Sequence, residues 1–110
     1  MTLQITRDAA NLLYSLYGEY KTKRKNGASV VEARNMGHAE SIRNAIMQME
    51  TKEDISSWCI ELRDIGFMNV SRGSNIVYDS WLTTEAVSYM EQRAANGLKS
   101  AVELISNFVP

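Results

Sequence analysis

The sequence predicts a mainly α-helical domain that carries one small antiparallel β-hairpin. Residues 6–25 and 51–65 show apolar residues at helical spacing. Residues 67–71 and 76–82 have the composition of short strands and flank the turn-forming segment RGSN at 72–75. A helix that runs directly into a hairpin after two earlier helices is the outline of a winged helix-turn-helix, in which the hairpin is the wing.

The first predicted helix covers residues 6–25. Its apolar side chains recur every three or four residues, which places them on one face. Gly18 inside this helix costs about 1 kcal/mol relative to alanine, and we take it as a sign of close packing by a neighbouring element. Asn26 and Gly27 then end the helix.

Two capping patterns mark the next helices. Ser29 and Glu32 have the spacing of a capping box and predict a helix over residues 30–36. Thr51 opens the third strong helix in a similar way. Residues 38–49 between them predict a short helix that runs into an extended segment.

After the hairpin, the chain is predicted to return to helix. Thr83 or Thr84 caps a helix whose buried face includes Val87 and Ala94. A last helix over residues 98–109 is apolar on two sides, and both sides must be covered. We expect this helix to form a homodimer interface, with packing inside one monomer as the alternative. The predicted interface residues are Leu98, Val102, Leu104, Ile105 and Phe108.

Composition indicates one globular domain over residues 1–110, with 45% hydrophobic and 23% charged residues. The single cysteine, Cys59, excludes an internal disulfide and fits a reducing compartment. The N-terminus lacks the pattern of a signal peptide, and no apolar run reaches the roughly 20 residues of a membrane span. We therefore expect a cytoplasmic protein without membrane contact.

Charge is unevenly distributed along the chain. The net charge of −1 argues against a generic polyanion binder. Residues 1–49 carry seven basic and four acidic residues, a balance of +3, whereas residues 50–71 carry two basic and five acidic residues, a balance of −3. We predict phosphate contact by the basic end of the first helix and by the wing; the alternative is that these side chains only stabilise the helix end or are solvated. The predicted contact residues are Lys21, Lys23, Arg24, Lys25 and Arg72.

The third strong helix carries the face that enters the major groove when a winged helix reads DNA. Its predicted core-facing stripe consists of Ile55, Trp58, Cys59, Leu62 and Ile65. Its predicted outward face consists of Glu53, Ser56, Ser57, Ile60, Glu61 and Asp64. Base readout favours Arg, Lys, Asn and Gln, and acidic groups repel phosphates. Three interpretations stay open: a solvated acidic face, a protein-contact face at Ser56, Ser57 and Ile60, or direct base readout.

No catalytic, cofactor-binding or metal-binding residues are predicted, and we expect a protein that is not an enzyme. Cys59 lies on the apolar stripe and is interpreted as a buried, inert thiol. His38, at a helix end, is interpreted as a capping or solvated side chain. The sequence contains neither a Gly-rich phosphate loop nor the residue spacing of a zinc site.

The helix before the wing contains the motif C-x-E-L-x-x-x-G-F, and the wing is followed by L-T-x-E-A-x-x-Y-M. These segments resemble a largely uncharacterised family of small winged helix-turn-helix proteins from Gram-positive bacteria and their phages. Upstream and downstream, E-A-R-x-M-G-x-x-E-S-I and N-G-L-x-x-x-V-E-x-I-x-x-F also look like members of this family. The resemblance implies a winged-helix domain and a regulatory or phage-associated role. It supplies no catalytic residues.

Together these observations favour a small, dimeric winged-helix protein that binds double-stranded DNA and acts in transcription regulation. The alternative is a winged-helix module that binds a protein partner and does not contact DNA directly.

Overall fold

The computed structural model describes residues 4–95, and in this part of the chain five helices and one two-stranded antiparallel sheet follow one another. The helices are α1 (Arg7–Lys25), α2 (Val30–Arg34), α3 (Ala39–Ile46), α4 (Lys52–Asp64) and α5 (Thr84–Ala95). The strands β1 (Met68–Gly73) and β2 (Ile76–Leu82) lie between α4 and α5. The prediction of a mainly helical chain with a small antiparallel hairpin is confirmed.

Helix α1 begins directly after Thr6, whose side chain caps it. Thr6 Oγ1 accepts a hydrogen bond from the Ala9 N–H (3.2 Å), which satisfies one of the free donors of the first turn. Gly18 lies on the exposed side, and a Cβ there would meet no atom within 4 Å, so the predicted close packing at this glycine is wrong. The buried residues of the helix are Ala9, Ala10, Leu12, Leu13, Leu16 and Tyr20.

Helix α2 is short because its start is capped and its end turns into an extended residue. The Glu32 N–H donates to Ser29 Oγ (3.1 Å), and the Ser29 N–H donates to Glu32 Oε1 (2.9 Å), so both halves of the capping box form. The pKa of the Glu32 carboxyl is lowered, first by the hydrogen bond from the Ser29 main-chain N–H and second by the Ser29 side chain, because both stabilise the charged carboxylate. The helix ends at Arg34, and Asn35 then forms an isolated antiparallel bridge with Trp81 of β2.

Side chains also cap the next two helices. The Glu40 N–H donates to His38 Nδ1 (2.9 Å) at the start of α3, which confirms the predicted capping role of His38. The Asp54 N–H donates to Thr51 Oγ1 (3.1 Å) at the start of α4. Residues 47–51 join the two helices.

The hairpin pairs run from Met68 opposite Leu82 to Gly73 opposite Ile76. A shift of register within the ladder leaves Tyr78 as the extra residue of a β-bulge on β2. Strand β1 extends two residues further than predicted, because only two residues form the turn.

The core lies where α1, α4 and the hairpin meet, and buried side chains of α5 also belong to it. Cys59 is fully buried, and burial raises the pKa of its thiol to about 12, so the predicted buried thiol is confirmed. Val87 of α5 is buried as predicted, but Ala94 is exposed, so its assignment to the buried face is wrong. The largest fully buried apolar side chains are Leu12, Leu13, Leu16, Ile55, Leu62, Met68 and Leu82.

The predicted last helix lies outside the described residues. The same is true of its five interface residues, Leu98, Val102, Leu104, Ile105 and Phe108. Within residues 4–95, no helix combines the length and the apolar character that crossing a membrane would need.

Candidate nucleic-acid interface

The outward side of α4 is acidic in the structure as in the sequence. Its exposed side chains are Lys52, Glu53, Asp54, Ser57, Arg63 and Asp64. Arg63 Nη2 lies 2.9 Å from the Asp64 carboxylate, so these two charges compensate each other and the exposed Glu53 and Asp54 outnumber Lys52. A DNA backbone that approached this side would meet groups of like charge, which disfavours base readout by α4.

Ser56 does not belong to this outward face. It is fully buried, and its Oγ accepts a hydrogen bond from the Val77 N–H of β2 at 3.0 Å. The prediction that Ser56 lies on a contact surface is therefore wrong. The buried side of α4 is wider than its apolar stripe, because the hairpin packs on a second flank of the helix. On that flank a small hydroxyl can satisfy a buried N–H of the strand.

Two other residues of the predicted outward face have different surroundings. Ser57 is exposed and Ile60 is half-buried, so both remain accessible to a partner. Glu61 instead accepts hydrogen bonds from the N–H and the Oγ1–H of Thr6, each at 2.9 Å. Its carboxylate therefore joins the C-terminal half of α4 to the start of α1.

Two of the four basic residues at the end of α1 make internal hydrogen bonds. Lys23 Nζ donates to the carbonyl oxygen of Asn35 (2.6 Å), and Arg24 Nη1 donates to that of Ala28 (2.9 Å). These side chains satisfy main-chain acceptors in the segment that follows the helix. Their removal would therefore disturb the local fold as well as any contact with phosphate.

Lys21 and Lys25 are the other two members of the cluster. Both are exposed and lie one turn apart on α1. Lys21 Nζ is 5.5 Å from the centre of the Tyr17 ring, a cation–π distance that leaves its N–H groups available for other acceptors. Burial, and secondarily the Glu91 carboxylate, raise the pKa of Tyr17. The two lysines are thus the members of the cluster best suited to phosphate contact.

The edge of the sheet links the basic end of α1 to the wing. Lys23 binds the carbonyl of Asn35, and Asn35 bridges Trp81 of β2. The Asn35 side chain also donates from Nδ2 to Asp79 Oδ1 (3.2 Å). The end of α1 therefore lies beside β2, on the edge away from β1, while Arg72 is exposed on β1. The predicted phosphate-contact residues thus belong to α1 and β1, and none of them belongs to α4.

The outer part of the wing presents a fixed aromatic ring. Tyr78 is 59% exposed, and its ring stands edge-on to the His38 ring with 5.7 Å between the centres. The same ring covers Gly73, so a side chain at this position would have to displace the Tyr78 ring. Arg72, the residue before this glycine, is exposed.

Arg34 and Asn35 were missed as structural links to the wing. Arg34 Nη1 donates to the Leu82 carbonyl (3.2 Å) at the end of β2, and Asn35 is the single bridging residue. A strand of one residue has no periodicity, so its pairing is not visible in the sequence. The available signal in the sequence was the polar side chain of Asn35, between α2 and His38, which can form hydrogen bonds to a neighbouring element.

Within residues 4–95, no three His, Cys, Asp or Glu side chains are grouped so that they could hold a metal ion. Compared with protein-family models, with curated proteins and with solved structures, the chain shows no significant match.

Proposed function

We propose that this chain is a small winged-helix protein that binds double-stranded DNA through the phosphate backbone, without base readout by α4. The observation that carries the proposal is the separation of charge. The exposed Lys21 and Lys25 lie on the C-terminal end of α1, whereas Glu53, Asp54 and Asp64 are exposed on the side of α4 that a groove-reading helix would turn to the bases.

The order of the elements supports the winged-helix part of this proposal. Helices α3 and α4 are adjacent in the chain and pack together, as in a helix-turn-helix pair. The hairpin follows α4, and the bridge at Asn35 adds one residue of a third strand between α2 and α3. Likeness of fold alone does not specify function, so the DNA part of the proposal depends on the charges.

Binding of this kind is weak, independent of sequence and dependent on salt. We expect contact by Lys21, Lys23, Arg24, Lys25 and Arg72, and the exposed Lys21, Lys25 and Arg72 allow the cleanest test. If each of the five groups contacts one phosphate, the logarithm of the binding constant should fall linearly with the logarithm of the salt concentration, with a slope of about −4.5 per chain. The measurement is fluorescence anisotropy with mixed-sequence duplexes at several salt concentrations.

A pair of matched variants separates this proposal from ordinary groove reading. Replacing both Lys21 and Lys25 by alanine should weaken binding equally for all duplexes and make the slope less negative by about 2. Lys52→Ala removes another exposed lysine, at the start of α4, and should change the affinity little. The proposal fails if Lys52→Ala has the larger effect, or if Ser57→Ala abolishes tight binding to one particular sequence.

Ile60 favours a second candidate function, a module that binds a protein partner through α4. This half-buried aliphatic residue lies one helical turn from the exposed Ser57 and Asp64, which suits a partner with an apolar contact and a polar rim. Ile60→Asp should then abolish capture of that partner, while Lys21→Ala/Lys25→Ala leaves it unchanged. Loss of DNA binding with retained partner capture, or the reverse, distinguishes the two functions.

We further propose that the chain is a homodimer through residues 98–109. The support is the two-sided apolar pattern of this segment. Sedimentation at micromolar concentration should show a dimer, and truncation after residue 96 should yield a monomer or an insoluble product. A single 12.4 kDa species for the intact chain would contradict the proposal.

A further inference from the structure

A small cleft lies between the C-terminal half of α1 and helix α3. Its volume is about 160 Å³, close to that of an engineered cavity of roughly 150 Å³ that holds one benzene molecule. Its apolar lining comes from Leu16, Met36, Ile42 and Ile46, of which the first three are buried. The cleft can therefore accept a branched aliphatic group or a single ring.

Two opposite charges stand at the rim of this cleft, one helical turn apart on α1. Glu19 and Lys23 both line it, and a glutamate four residues before a lysine is the favourable arrangement for an ion pair on a helix. The pair does not form here, because Lys23 Nζ binds the carbonyl of Asn35 (2.6 Å). Within residues 4–95, the ion pairs join only Arg43 with Glu40 and Arg63 with Asp64.

This arrangement leaves donors and acceptors for a ligand. A lysine ammonium has three N–H donors, and Asn35 uses one of those of Lys23. The Glu19 carboxylate is half-buried and forms no ion pair within the described residues. Ser41, across the cleft on α3, adds a hydroxyl to the rim.

We propose that the cleft binds a small zwitterion with an apolar body, namely an α-amino acid with an aliphatic side chain. The aliphatic group lies on the apolar lining, the ligand's ammonium binds the Glu19 carboxylate, and the ligand's carboxylate binds the Lys23 ammonium. A ligand with one charge would leave the other rim group unmatched, since the two charges together are neutral. The site lies on α1 and α3 and does not depend on the function proposed above.

The test uses three probes of nearly equal shape: L-leucine, 3-methylbutylamine, which lacks the carboxylate, and 4-methylpentanoate, which lacks the ammonium. Binding to the full chain is followed at neutral pH by calorimetry or by NMR shifts. Leucine should bind at least about tenfold more tightly than either analogue, because each charge-assisted contact contributes on the order of a tenfold change in affinity.

Variants locate the site and test each charge. Glu19→Gln should weaken the binding of leucine about tenfold and leave the affinity for 4-methylpentanoate unchanged. The matched control Glu85→Gln on α5 should change neither affinity. Ala45→Phe should close the cleft and abolish leucine binding. If this variant does not fold, Glu19→Gln still tests whether leucine binds in the cleft. Equal affinity for all three probes, no saturable leucine binding at millimolar concentration, or the same result for Glu19→Gln and Glu85→Gln would each overturn the proposal.

Discussion

The hydroxyl oxygen of Ser56 on α4 accepts a hydrogen bond from the main-chain N–H of Val77 on β2, at 3.0 Å and with both residues fully buried. The bond joins the helix before the wing to the second strand of the wing. Because Val77 lies next to the bulged Tyr78, where the regular ladder is disrupted, a side chain supplies the acceptor for this N–H.

Ser56→Ala should therefore destabilise the fold. The substitution leaves the buried Val77 N–H without an acceptor, which costs about 1–3 kcal/mol. The neighbouring Ser57→Ala is the control, since Ser57 is exposed. Its free energy of unfolding should stay within about 0.5 kcal/mol of that of the parent. Urea unfolding of the three proteins measures the difference, and equal stability of the two variants would contradict the role of Ser56.

Glu61→Ala should loosen the contact between α4 and α1. It removes two hydrogen bonds to Thr6, and we expect a loss of about 1 kcal/mol because solvent competes at this exposed site. Glu53→Ala serves as the control for removal of an acid from the same helix. A double-mutant cycle with Thr6→Ala should show coupling between the two residues, and strictly additive effects would refute the contact.

Gly18→Ala should stabilise the chain. The residue lies inside α1 with open space around its Cα, so alanine meets no neighbour and raises helix propensity by about 1 kcal/mol. The contrasting variant is Gly66→Ala. Gly66 follows α4 and has a φ of +85°. The free energy of unfolding of that variant should fall by about 1 kcal/mol, because residues with a side chain disfavour this conformation. Thermal unfolding compares both with the parent, and a lower midpoint for Gly18→Ala would show that its side chain meets an obstacle.

Cys59 should react with thiol reagents only after the chain opens. Its thiol is fully buried and its pKa is raised to about 12, so the reactive thiolate is scarce and inaccessible near neutral pH. Labelling of the native protein should be slow and should accelerate as urea populates the unfolded state. Rapid stoichiometric labelling without denaturant would contradict the burial.

The same thiol should make stability depend on pH in the alkaline range. The pKa is raised from an ordinary value of 9.0 to about 12 in the folded chain, so the unfolded state ionises first as pH rises. The contribution of Cys59 is complete below pH 9 and is lost between about pH 9 and 12, at up to about 1.4 kcal/mol per pH unit. Cys59→Ala should lose less stability than the parent between pH 8 and pH 10, measured by urea unfolding at each pH. Parallel pH curves for the two proteins would refute this linkage.

Helix starts and turns could be predicted from the sequence because their signals are local. The caps at Ser29 and Thr51 bond to N–H groups three residues away, and such bonds depend on residue spacing alone. The buried face of α1 and the burial of Cys59 followed from helical periodicity in the same way.

The candidate site was less predictable, because its members acquire their roles from distant parts of the chain. Ser56 bonds to a residue 21 positions away, and Glu61 to one 55 positions away. Both were assigned to the outward face, since a helical wheel shows which residues share a side of a helix and does not show how wide the packed side is.

The sequence by itself determined the order of helices and strands, their caps and the acidic character of the outward side of α4. Only the tertiary structure decided that Ser56 joins the wing, that Lys23 binds Asn35 and leaves Glu19 unpaired, and that the end of α1 lies beside β2. The physical reason is the range of the interactions. Capping and periodic burial arise within a few residues, whereas the partner of a polar side chain depends on which elements pack together.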